Sequence, residues 1–259
     1  MKHNDVKMVD GSMEGLFIPT EAGSAVPGSL HIDGRFLVYR DAQGEQSIEI
    51  LDGNDFVEYI AVLARIVGTK FKNLVDGREL NAKIGTENPK VNPSYAVFDR
   101  QFFAQQQFLL GYTLNTQDFT AECWRWADSA IVVSGYPHDI ITASNLGFRM
   151  SARHPGREAF YVRFANEDYE IPRPAETNNE WHHYALEREG TTLRAYINGK
   201  VMMEKTILAN ASLGAIGIIV GSQYANNMPV NHIDEVVFTK LAKYKGENFV
   251  PKNKPIVLP

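Results

Sequence analysis

From Tyr95 onward, glycine and proline interrupt the sequence so often that no long helix fits between them. Breaks fall at Gly135, Gly147, Pro155-Gly156, Pro172, Gly190, Gly199, Gly214, Gly221 and Pro229. Short segments punctuated in this way read as strands joined by turns, in a sandwich or barrel. The period inside them is two. Leu193, Ala195 and Ile197 alternate with Arg194 and Tyr196, as an antiparallel strand with one buried face requires. Asn198-Gly199 follows and suits a tight primed turn. Residues 215–221 (AIGIIVG) have no alternation and read as a central strand buried on both faces, with Gly217 allowing close approach.

The N-terminal part is less regular. Short strands are expected at residues 16–18, 29–32, 36–40 and 47–51, with a hairpin turn at Asp33-Gly34. A meander of that size is marginal alone. Over residues 54–67 the period changes: Phe56, Ile60, Leu63 and Val67 fall at spacings of 4, 3 and 4, which marks one face of a helix. Asn54 or Asp55 would cap it and Gly68 would end it. Such a helix would dock on a core or self-associate, three copies around an axis. Residues 76–94 (DGRELNAKIGTENPKVNPS) collect the breaks of a linker. The expected organisation is therefore an anchoring and oligomerisation module over 1–87 and a larger β domain over 88–259.

Four segments of the larger part resemble, in order, the laminin-G-like, concanavalin A-like jelly-roll family. They are Ser94–Asp99 (SYAVFD), Asp118–Trp124 (DFTAECW), Trp181–Lys200 with its WHHYALER…LRAYING core, and Ile233–Phe238 (IDEVVF). The tail Thr239–Pro251 (TKLAKYKGENFVP) is similar to the ending of laminin-G-like domains in bacteriophage virion proteins. Pro27–Asp41 looks like short repeats near the starts of phage fibre and decoration proteins. The resemblance implies a mainly β protein, an antiparallel β-sandwich preceded by a small hairpin-plus-helix module. It further implies a non-enzymatic virion structural protein: a capsid decoration protein, head fibre or tail component. Its expected partners are its own copies as a homotrimer and a major capsid or tail protein. The alternative is a carbohydrate-binding adhesin that grips host surface glycans.

A net charge of -5 disfavours a nucleic-acid coat. The start MKHNDVKMVDGS has no apolar region after its lysine, so no signal peptide is expected, and synthesis in a host cytoplasm follows. No apolar run approaches the ~18 residues of a membrane span. The single cysteine, Cys123, excludes an intrachain disulfide and reads as a small buried hydrophobe.

Glucanases of this fold need two carboxylates on one sheet face. Asp234 and Glu235 are adjacent, and a regular strand sends neighbours to opposite faces, so no enzyme is expected and Asp234 should anchor a turn or bond backbone amides. The same parity separates His182 from His183, leaving one packed near the sheet and one solvated. His138, His154 and His232 lack metal-ligand spacing. Calcium, which some members of the family bind, would fall to loop carboxylates such as Asp139 and Asp168, but no acidic loop cluster is present, so no cofactor or metal is expected. Two loops mix aromatic and polar residues as sugar sites do. They supply the ligand-binding candidates Tyr136, His138 and Asp139, and Tyr224, Asn226 and Asn227.

Overall fold

The structure, a computed structural model, describes residues 8–9, 12–13, 30–33, 36–41, 44–49, 59–98, 108–113, 116–127, 139–143, 147–151, 159–172, 180–213, 215–220 and 230–256. The chain divides into two compact units, Met1–Asp55 and Phe56–Pro259. In the first, β1 (Met8–Val9) pairs with β2 (Ser12–Met13), and β3 (Leu30–Asp33), β4 (Phe36–Asp41) and β5 (Gly44–Glu49) form a three-stranded meander.

The second unit is built from β6 (Ile60–Val67), β7 (Lys70–Asn73), β8 (Glu79–Leu80), β9 (Lys83–Gly85), β10 (Tyr95–Phe98), β11 (Phe108–Thr113), β12 (Phe119–Ala127) and β13 (Asp139–Ala143). Then follow β14 (Phe148–Ser151), β15 (Ala159–Phe164), β16 (Glu167–Pro172), β17 (Glu180–Glu189), β18 (Thr192–Ile197), β19 (Lys200–Thr206), β20 (Ala215–Val220) and β21 (Asn231–Thr239). A ten-stranded sheet runs β19-β18-β17-β12-β21-β6-β7-β8, with β10 also on β21 and β9 on β10. A six-stranded sheet runs β11-β20-β13-β14-β15-β16. Every pairing is antiparallel. Strand parity builds the core between the sheets. Phe119, Ala121 and Cys123 of β12 and Tyr184 and Leu186 of β17 share it with Phe148, Met150, Phe160 and Val162 of the other sheet. Phe119 lies 5.9 Å from Phe148, 5.9 Å from Phe164 and 5.4 Å from Phe238. The architecture is the mainly β sandwich of a jelly roll, as expected.

The Asn198-Gly199 turn and the central position of β20 in its sheet are as expected. Asn198 and Gly199 have φ of 51° and 75°, the paired left-handed residues of a type I′ turn. β20 is hydrogen-bonded on both sides, to β11 and β13.

The helix expected over 54–67 is corrected: residues 60–67 are strand β6. Val62, Ala64 and Ile66 enter the main core, while Ile60 and Leu63 pack with Val237 and Ile256 on the other side of the sheet. A strand buried on both faces gives a nearly continuous apolar run, from which helical spacing can be picked out by chance. Its isoleucines and valines were the better signal. The oligomerisation stripe changes with it. Ile60 and Leu63 are used inside their own fold, Val67 is exposed at the strand end, and Phe56 lies outside the described residues. Because β6 pairs with β21 and β9 with β10, residues 60–85 join the jelly-roll sheet.

Candidate functional site

The outer face of the ten-stranded sheet carries the chemistry. Thr120, Glu122, Trp124 and Trp126 of β12 point there, because Phe119, Ala121 and Cys123 fill the core. Cross-strand neighbours continue the face: Glu187 opposite Thr120, His183 opposite Trp124 and Trp181 opposite Trp126 on β17, then Arg194 opposite Glu187 on β18.

Residues 240–256, after β21, cross this face as a strap, and the face supplies acceptors and donors for its backbone. The Glu187 carboxylate accepts the amides of Tyr244 at 2.6 Å and Lys245 at 2.8 Å. It also accepts the Tyr196 hydroxyl at 3.0 Å, and that hydroxyl accepts the Gly246 amide at 3.0 Å. Thr120 Oγ1 donates to the Leu241 carbonyl at 2.9 Å and accepts the Lys243 amide at 3.1 Å. Trp124 Nε1 donates to the Lys252 carbonyl at 3.0 Å, and the Phe249 amide donates to the Gly199 carbonyl at 2.9 Å.

Glu122 is the ionic centre. The Lys243 ammonium and the Tyr244 hydroxyl both donate to its carboxylate, and His183 Nε2 stands 3.4 Å away. Burial opposes its ionisation, yet Lys243 and His183 hold its carboxyl far below the usual range. Tyr244 stacks on Phe249 at 3.6 Å, and Phe249 meets His183 edgewise and Tyr196 at a tilt of 59°. Both histidines of the pair are thus buried, contrary to the expectation of one solvated ring. His183 lies under the strap, while His182 Nδ1 is 3.1 Å from Asn198 Nδ2.

Asp234 and Glu235 lie where β21 changes partner, since residues 231–233 pair with β10 and 236–239 with β6. The β12 register slips between Glu122 and Trp124, and Glu235 has φ of 48°, the geometry of a bulge. The bulge overturns the parity argument: both carboxylates converge on Asn92, whose Nδ2 donates to Asp234 at 2.7 Å and Glu235 at 2.8 Å. Asp234 also accepts the Val91 and Asn92 amides at 3.0 and 3.1 Å, the second of the two roles expected of it. Glu235 accepts the Ile256 amide at 2.8 Å and faces Arg65 at 3.4 Å. Burial raises both carboxyls above their ordinary values, against the hydrogen bonds that lower them. These acids clamp a fork in the sheet. Asp234→Ala will strand two amides and the Asn92 side chain, and a urea titration will show a loss of about 2–4 kcal/mol.

Of the six ligand-binding candidates, Asp139 is described. It is fully buried, accepts the Ser151 hydroxyl at 2.5 Å and lies 3.5 Å from Arg149. Tyr136, His138, Tyr224, Asn226 and Asn227 lie outside the described residues. Asp168 is held by Arg163 through contacts of 2.5 and 2.8 Å. Among the described residues no group of three or more His, Cys, Asp or Glu is placed to hold a metal ion, and no helix is long and apolar enough to cross a membrane. Cys123 is buried, and burial pushes its thiol well up, away from a reactive thiolate. The sequence reading passed over Glu122, Glu187, Asn92, Lys243 and Tyr244. The signal for the first two was parity: Glu122 alternates with the core residues Ala121 and Cys123, and Glu187 stands in register with Thr120 on the outer face.

Fold and face together define a jelly-roll domain of the lectin and glucanase type. The family model for the concanavalin A-like lectin/glucanases superfamily, of laminin G type, matches residues 104–240, and the chain belongs to that superfamily. Among solved structures it is similar to the binding domain of Paraclostridial mosquitocidal protein 1, with a TM-score of 0.53 and 14% identity over 73% of this chain. It spans 50% of that chain, about half its length. It is also similar to domain 4 of AbnA, an extracellular GH43 arabinanase of Geobacillus stearothermophilus solved with arabinotriose. That TM-score is 0.51, with 14% identity over 71% of this chain and 93% of that one. At such identities the likeness is one of fold. No curated protein matches the chain.

Proposed function

We propose that this chain is a non-enzymatic structural protein of the bacteriophage virion type, displaying its jelly roll on the particle surface. The observation that carries the non-enzymatic part is the strap. A glycoside hydrolase needs two carboxylates flanking an open cleft, one kept protonated as general acid. Here Glu122 and Glu187 lie under residues 241–246 and spend their oxygens on strap amides, Lys243 and Tyr244. The virion part rests on the sequences of the strap and of Pro27–Asp41.

Residues 1–55 serve as the anchoring and trimerising unit in this reading. A three-stranded meander has little core of its own, and association supplies what it lacks. The chain will therefore run in light scattering at three times its 29.1 kDa, while a chain starting at Phe56 will run as a monomer. A monomeric full-length chain at high concentration removes the trimer. No binding to any virion particle removes the structural role.

A further inference from the structure

The strap carries five lysines, Lys240, Lys243, Lys245, Lys252 and Lys254, against one carboxylate, Glu247, in a chain whose net charge is -5. Lys243 is spent on Glu122, and the other four are exposed. Contacts of the strap bring further cations to it. Lys90 Nζ lies 4.4 Å from the centre of the Trp124 ring, whose Nε1 holds the Lys252 carbonyl. Lys200 is exposed between Gly199, whose carbonyl accepts the Phe249 amide, and Val201, whose amide donates to Asn248 Oδ1. Lys245 follows Tyr244, the ring that stacks on Phe249. Of the acids on the neighbouring strands, Glu189 and Glu204 are both held by Arg194.

Val250 stands among these lysines and is 90% exposed. It is held there, because the Phe249 amide before it and the Lys252 carbonyl after it are both bonded to the sheet. A lone exposed valine is ordinary on a protein surface. A valine fixed outward within a group of lysines joins the two attractions that a charged bilayer offers. We propose that Val250 and the lysines around it, Lys90, Lys200, Lys245, Lys252 and Lys254, dock the domain on an anionic lipid surface. Ammonium groups gain from the negative surface potential without needing fixed geometry, and an aliphatic side chain enters the boundary between headgroups and acyl chains. A protein partner would need roughly 800 Å² of matching surface, whereas Val250 is the one exposed large apolar side chain among the described residues of the strap. The strap also has no arginine, the residue suited to bidentate contact with nucleic acid. The proposal rests on the strap and not on the virion reading, and vesicles test it with no particle present.

The full chain is to be sedimented with sucrose-loaded vesicles of phosphatidylcholine alone, and of phosphatidylcholine with about 30% phosphatidylglycerol, in ~0.1 M salt. Binding to the anionic vesicles is expected to exceed that to the neutral ones at least tenfold. It should vanish in ~1 M salt, where the screening length falls from ~10 Å to ~3 Å. Each lysine near such a surface contributes about fivefold in affinity, so Lys245→Glu with Lys252→Glu should weaken binding by more than about 25-fold. A retained Trp124 indole N–H resonance in that variant shows that the strap is still seated. Lys245→Arg with Lys252→Arg keeps both charges and should bind as the native chain does. Val250→Ser should weaken binding about fivefold with the charge unchanged. Blank sedimentation with the anionic vesicles overturns the proposal, as does equal sedimentation with the neutral ones or binding that survives the paired glutamates. Retention on immobilised polyglutamate with blank vesicles overturns it too, and assigns the strap to an acidic protein surface instead.

Discussion

Glu122→Ala will cost the jelly-roll unit about 3–5 kcal/mol, because it leaves the Lys243 ammonium under the strap without its counter-charge. Glu122→Gln keeps the volume and one carbonyl acceptor, and will cost about 1–3 kcal/mol. The two variants also carry a pH signature. Glu122 has a folded pKa far below its ordinary 4.5, so its stabilisation is complete above that value and is lost as pH falls below it. The gap in urea midpoint between the native chain and Glu122→Gln should narrow as the pH drops below about 4.5. Asp234 and Glu235 have the opposite sign, since their raised pKa values mean that acid favours the folded state. Comparing native and Gln chains at each pH cancels that contribution. A gap constant from neutral pH to pH ~3 would show that Glu122 is not the ionised centre of the strap.

What the sequence disclosed follows from how each element is stabilised. β17, β18 and β12 were legible because each has one face on the core and one outside it, so side-chain parity survives in the residue pattern. The Asn198-Gly199 turn was legible because few residue pairs accept two consecutive left-handed conformations, here φ of 51° and 75°. β6 was not, because the strap's Ile256 packs on its second face beside Leu63, which erased the alternation. The same cause hid the site. Glu122 reads as a solvated carboxylate until strap residues far away in the chain, but adjacent in space, are laid over it; Lys243 is 121 positions distant. Asp234 and Glu235 mark the other limit. Parity assumes an unbroken ladder, and the bulge at Glu235 turns two alternating acids into a convergent pair. Nothing in the IDEV letters announces that bulge, since a glutamate at positive φ is uncommon. The fork, where β21 exchanges β10 for β6, imposes it from outside.

Gly199→Ala tests the strap from the backbone side, and its expected loss is about 2–4 kcal/mol. Gly199 has φ of 75°, and a Cβ built there would lie 1.9 Å from the Phe249 carbonyl oxygen and 3.0 Å from Pro251 Cδ. A backbone oxygen cannot swing aside as a side chain can, so the strap itself must move. That breaks the Phe249 amide's bond to Gly199 and loosens the stack of Phe249 on Tyr244. Gly190, in the turn at the other end of β18, is the internal control. Its φ is 56°, but nothing lies within 4 Å of its Cβ position, so Gly190→Ala carries only the left-handed penalty of about 1–2 kcal/mol. The difference between the two variants isolates the strap contact from the turn conformation. A second readout locates it: in Gly199→Ala the Trp124 indole, bonded to the Lys252 carbonyl, should shift its N–H resonance and red-shift its fluorescence, and in Gly190→Ala it should do neither. Equal losses with an unmoved Trp124 would mean that residues 247–252 do not bear on the turn. The sealed face, and with it the argument against a hydrolytic cleft, would then lose its support.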